Sequence, residues 1–310
     1  MEHKNENHTM RVFYLLAIVF VVDGHTTLGN LFDFNGLFRY YSFHLMMFAF
    51  GSGYFFKFYG GLRADIAHRA KKLLVPLYLW NAVYGAGAAL LRRFGGFELG
   101  EPLSAYTLLL APLTDGQHFI WNLGAWFIFP LFLVQVFYAA IRRLSKLWHE
   151  NEVMTFLLCL IPGCAAVQLC FHGRQDALPL FLLRPMILLP GFAGGQLYRR
   201  VLEKRDRLPT VPYLLTIAVL RVLLSTRYEN LAYLLSDCSY FVCDAFGVYV
   251  GGALAIAFYL RIARLLAPYI GKSRLALAVS RNTFDIMMHH YMGFFALDCV
   301  FLALNALGLG

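Results

Sequence analysis

The chemistry open to this chain lies in a few polar side chains set inside otherwise apolar runs. His25 ends the run "RVFYLLAIVFVVDGH", which Arg11 begins. His44 stands in "FHLMMFAFGSGYFF", ahead of Gly51, Ser52 and Gly53, whose small size permits close helix approach or the passage of a ligand. Near the C-terminus, "SRNTFDIMMHHYMGFF" supplies Arg281, Asp285, His289 and His290. Asp285 and His289 are i,i+4, so the carboxylate could orient or charge-stabilise the imidazole. His290 faces about 100° away, and the sequence does not choose between the two histidines. A charge at mid-helix costs about 3 kcal/mol on insertion scales, so such residues are expected to face an interior cleft.

Other polar groups are harder to assign. Arg184, followed by Pro185 inside "LFLLRPMILLPGFAGGQLY", needs a carboxylate, carbonyl dipoles or an anionic ligand. Asp115 and His118 stand at a boundary, where ordinary solvation competes with a functional role. The histidines form no tight local motif such as HExxH, so no metal is expected. Haem needs axial pairs at matched depth and is not expected either. "GFAGG" reads as helix packing rather than a nucleotide loop, and the six cysteines read as small packing residues. A near-neutral imidazole suits proton removal from a hydroxyl; a structural interhelical hydrogen bond is the competing role for His25 and His44.

Composition defines the elements that hold these groups. Of 310 residues, 59% are hydrophobic and 15% charged, with mean hydropathy +0.59; soluble chains carry nearer a quarter charged residues. The fold class expected is all-α, a polytopic integral membrane bundle of about 9–11 transmembrane helices. Spans are expected near 10–29, 38–58, 73–91, 121–141, 153–170, 178–198, 210–224, 240–260 and 283–305. The piece 103–113 is too short to span comfortably and 229–239 is ambiguous. The first run is long and ends "VVDGHTTLG", unlike a cleaved leader. On an ideal helix Arg11 and His25 lie within about 40° of one face and about 21 Å apart along the axis. A single membrane domain over 1–310 is expected, with no soluble extracytoplasmic domain.

Orientation follows from Lys and Arg. With the N-terminus cytoplasmic and 92–120 outside, the cytoplasmic segments hold 20 of the 27 basic residues. The net charge of +9 is spread between apolar runs, which fits contact with anionic lipid headgroups and not nucleic acid.

Six segments, "LAIVFVVDGH", "FHLMMFAFGSGYFF", "KKLLVPLYLWN", "GAWFIFPLFLVQ", "LPGFAGGQLY" and "YIGKSRLALAVSRNTFDIMMHHY", occur in order across nearly the whole chain. Together they resemble the membrane-bound acyltransferase-3 family, which O-acetylates bacterial cell-surface sugars, and are especially similar to its fucose O-acetylase-like branch. The resemblance implies a bacterial cytoplasmic-membrane enzyme. It also implies an acyl-CoA donor, usually acetyl-CoA, and a hydroxyl acceptor on a glycan or lipid-linked sugar. It matches His25 and His44 to family histidines. The family often carries a basic residue ten intervening positions before its helix-1 histidine. That position here is Tyr14, and Arg11, one turn earlier on a nearby face, is the candidate substitute.

On the implied chemistry, His25 is the general base or a close catalytic partner, and His44 orients the acceptor or stabilises charge. Arg11, with Lys71 or Lys72, attracts CoA phosphates; Arg184 and Arg281 join the donor-side candidates. Ser52, Asp285, His289 and His118 complete the candidate set. A small-molecule transporter built on the same bundle is the competing function.

Overall fold

A computed structural model describes residues 7–26, 38, 40–116, 118–145 and 151–308. Lys4, Arg39, Lys146 and residues 27–29 of the first expected span lie outside the described residues. Among the described residues, seven helical stretches are long and apolar enough to cross a membrane: Leu62–Gly95, Ile120–Leu144, Glu152–Phe171, Leu180–Leu202, Thr210–Arg227, Ala245–Ile270 and Thr283–Ala306. Two shorter helices, α1 (His8–Asp23) and α2 (His44–Tyr54), pack within the same bundle. The architecture is therefore that of a largely helical polytopic membrane bundle.

Helix α1 ends at Asp23, where the Gly24 amide closes on Phe20 and Val22 carbonyls. His25 thus lies in a turn beyond the helix, and the ideal-helix angle between it and Arg11 does not carry that far. The expected 38–58 span also shortens. It opens with a 3₁₀ turn, Tyr40–Ser42, and Phe43 takes a non-helical φ of −149° before α2 begins at His44. At 1.5 Å per residue α2 is about 16 Å long, roughly half the bilayer core.

After α2 come α3 (Leu62–Arg69), a π-helical turn over Ala70–Leu74, and α4 (Val75–Gly95), forming one continuous stretch. Pro76 in the first turn of α4 lacks an amide hydrogen, and the wider π turn accommodates it. Next come α5 (Ala111–Thr114), a 3₁₀ stretch Ile120–Phe127, α6 (Ile128–Leu144), α7 (Glu152–Phe171) and α8 (Leu180–Leu197). The chain continues through α9 (Thr210–Arg227), a hairpin of β1 (Tyr233–Leu234) and β2 (Tyr240–Phe241), α10 (Ala245–Ile270), α11 (Arg274–Arg281) and α12 (Thr283–Ala306).

Neither doubtful segment is among the described stretches long and apolar enough to cross. Gly100 pairs with Phe119, and the Glu101 amide donates to His118 O at 2.8 Å, so the piece containing 103–113 leaves and returns at one place. The 229–239 piece carries β1, which pairs antiparallel with β2. Asp244 caps α10, accepting from the Gly247 amide at 3.0 Å and the Tyr228 hydroxyl at 2.6 Å. Burial pushes its carboxyl up, but those donors and Arg227 outweigh it and hold the group below the usual carboxylate range.

The core is tightest where α2 crosses α8. A Cβ on Gly195 would run into the Phe50 carbonyl, and one on Gly53 into the Phe192 carbonyl, so glycine is what allows the two backbones to meet. The "GFAGG" segment is thus a packing surface. Carboxylates hold several arginines in place. Asp65 pairs with Arg69 at 3.0 Å and with Arg143, Glu152 with Arg142 at 2.8 Å, and Asp206 with Arg261 at 2.7 Å.

Candidate active site

Among the described residues, two cavities of the bundle gather most of the polar candidates. The first, about 230 Å³, is lined by His25, His44 and His290 with Tyr41 and Tyr291. Its walls come from the end of α1, the start of α2, the 3₁₀ stretch, the β1 hairpin and α12, so five distant parts of the sequence converge there. Side chains three apart eclipse in a 3₁₀ helix; accordingly Leu123 and Trp126, and Gly124 and Phe127, all line it. His44 opens α2, and Tyr41 meets its ring edge-on at 5.5 Å. The positive end of the α2 dipole is therefore at this cavity.

Hydrogen bonds fix two of the imidazoles. His25 Nδ1 lies 2.7 Å from the Val21 carbonyl; His290 Nδ1 lies 2.9 Å from the Met287 carbonyl and 3.1 Å from that of Ile286. A carbonyl only accepts, so each Nδ1 carries the hydrogen and each Nε2 keeps its lone pair. The rings are 5.0 Å apart, and both contact Tyr291, at 5.0 and 4.5 Å. His290 is 7% exposed and its Nε2 has no partner among the described residues. A Cβ on Gly124 would lie 2.5 Å from the His290 ring, so the bare glycine makes room for it.

The second cavity, about 460 Å³, lies toward the other end of the bundle. Lys57, Arg69, Lys72 and Arg281 bring positive charge to its wall, against Asp285, with Tyr14 and Ser52 beside them. Tyr14 hydrogen-bonds Ser52 and packs on Gly51. Met287 lines both cavities. With Phe48 and Phe127, whose rings meet edge-to-face at 5.7 Å, it forms the partition between them.

The sequence candidates divide accordingly. His25 and His44 share the histidine cavity, while Ser52, Lys72, Arg281 and Asp285 share the basic one. Arg11 lines neither. Lys71 turns outward to a shallow apolar groove with Leu74 and Tyr78. His289 faces away from both cavities, 2.5 Å from the Tyr84 hydroxyl and edge-on to Trp80. His118 sits 2.5 Å from Asp115 and edge-on to Tyr106.

Arg184 is far from the basic cavity. It is 2% exposed and donates to the carbonyls of Thr114 (3.3 Å), Asp115 (3.1 Å) and Ser236, with its guanidinium over Trp126 at 4.9 Å. It thus ties two loops to a wall of the histidine cavity. Among the described residues, no group of three His, Cys, Asp or Glu side chains is placed to hold a metal ion.

Sequence reasoning did not single out Met287, Tyr41, Tyr291 or the hairpin residues Leu235 and Ser236. His290 was visible, but the i,i+4 spacing of Asp285 drew attention to its neighbour. A signal for His290 was present in the bundle geometry: adjacent helical residues point about 100° apart, so only one of the two faces α1.

The family model described as an acyltransferase domain, of the acyltransferase-3 group, matches residues 12–307. The chain belongs to the acyltransferase-3 family. No curated protein and no solved structure matches it. The matched residues 12–307 of this acyltransferase-3 chain include the lining of both cavities.

Proposed function

We propose that the chain is a membrane O-acyltransferase that moves an acyl group, taken as acetyl, from acyl-CoA to a hydroxyl of a glycan or lipid-linked sugar. The observation that carries this reading is the pair of cavities that meet at Met287, one basic and one histidine-lined. Lys57, Lys72 and Arg281 give the basic cavity the charge that suits CoA phosphates. Tyr14 and Ser52 extend the polar wall toward the partition. Methionine is unbranched and adaptable, so Met287 suits a passage through which a thioester arm reaches the histidines.

The thioester supplies an activated acyl carbon. His25 Nε2 removes the acceptor hydroxyl proton as the oxygen attacks, because an alcohol is a poor nucleophile until that proton leaves. His44 and the first turn of α2 orient the acceptor and stabilise the charge that develops on the carbonyl oxygen. Placing the basic cavity at the cytoplasmic face of a bacterial inner membrane gives acyl-CoA access from inside and the glycan or lipid-linked sugar access from outside. The resemblance of the six ordered segments to a family that O-acetylates cell-surface sugars supports a sugar acceptor.

Purified protein with labelled acetyl-CoA and a glycan panel tests this reading. Acceptor-dependent CoA release together with labelled glycan is expected. Solute flux across vesicles without acyl consumption would favour a transporter and contradict it.

A further inference from the structure

His290 brings to the histidine cavity a lone pair that proton removal by His25 does not use. His25 and His290 each give the Nδ1 hydrogen to a backbone carbonyl of the preceding turn, which leaves two Nε2 acceptors in one cavity of about 230 Å³. One acceptor hydroxyl has one proton and can satisfy one of them. The Nε2 of His290 is buried and has no partner among the described residues, and leaving a buried acceptor unpaired is unfavourable. A purely structural histidine would use its second nitrogen to tie helices together; this one uses its first nitrogen on its own helix, and its ring lines the cavity.

We infer that His290 is a specificity-determining residue whose Nε2 accepts a hydrogen bond from a second hydroxyl next to the one acylated, so that the site selects vicinal diols over isolated alcohols. The 5.0 Å separation of the two rings suits hydroxyls on neighbouring carbons of one sugar. The inference rests on the acyl-transfer reading. In that step the acceptor oxygen bonds to the acyl carbon and the carbon–sulfur bond breaks. The hydroxyl proton passes to His25 Nε2 and then to the departing thiolate, while His290 exchanges no proton.

The test uses full-length protein in lipid nanodiscs with acetyl-CoA and methyl pyranosides. Each parent sugar is compared with the deoxy analogue lacking the hydroxyl beside the acylated one. Wild type is expected to prefer the parent by about ten- to hundredfold in kcat/KM, the range set by one unpaired buried group. His290→Leu should reduce that preference to about threefold or less, and His290→Gln, which keeps an acceptor oxygen, should retain part of it. Thermal unfolding and monodispersity establish that each variant is folded.

A wild type without the preference, or a folded His290→Leu that keeps it, overturns the inference and leaves acyl transfer standing. A wild type that acylates no acceptor overturns the acyl-transfer reading, and the inference falls with it.

Discussion

An imidazole that has given its Nδ1 hydrogen to a carbonyl has only Nε2 left for chemistry, and His25 and His290 share that condition. Arg184 is the contrasting case, a buried charge with its donors directed to backbone carbonyls. Replacing it by methionine keeps much of its volume and removes every donor. Arg184→Met is expected to cost about 2 kcal/mol or more, since buried carbonyls lose their partners, and to lower both the melting temperature and the turnover. Unchanged melting and turnover would show that the loops over the cavity do not depend on it. The sequence made the need of Arg184 for a partner legible, but not which of three kinds of partner it finds. That choice depends on Thr114, Asp115 and Ser236, which are distant in sequence. Tyr14 was legible as the place where the family pattern breaks; its contact with Ser52 requires the packing of α1 on α2.

At the scale of elements, the 3₁₀ stretch Ile120–Phe127 and α12 decide where His290 points. Gly124→Ala places a methyl against the His290 ring and the Met287 carbonyl, both at 2.5 Å, a distance that forces a shift. It is expected to lower kcat/KM by about tenfold or more, on the scale of a small misplacement of reacting groups. Gly252→Ala is the control, since its methyl would meet Met46 at an ordinary 3.6 Å. Equal effects of the two substitutions would remove the positioning role from Gly124. The long spans were legible because hydropathy alone marks them. The late start of α2 was not, because it depends on the backbone of Phe43 rather than on any change in apolarity. The β1 hairpin was hidden for a similar reason, its strands being only two residues each.

For the whole molecule, the return of the chain between Gly100 and Phe119 keeps the loops on both sides of α6 in the alternation proposed from Lys and Arg. Cysteines introduced as Glu98→Cys and Lys204→Cys, with Cys299 replaced by serine, should report opposite sides of the membrane. In intact cells an impermeant thiol reagent is expected to label position 98 and not 204; labelling of both, or of 204 alone, would invert or break the proposed topology. The helical bundle was legible from composition. The pairing of Asp65 with Arg143, and of Asp206 with Arg261 and Arg264, was not, since these pairs join elements far apart in the chain.

The most direct measurement compares wild type with His25→Ala at equal amounts of folded protein, following acylated sugar by mass spectrometry after addition of acetyl-CoA. Removing the general base is expected to lower the rate by about 10²–10⁴-fold, with the melting temperature little changed. A folded His25→Ala protein that forms product at the wild-type rate would contradict acyl transfer through the histidine cavity.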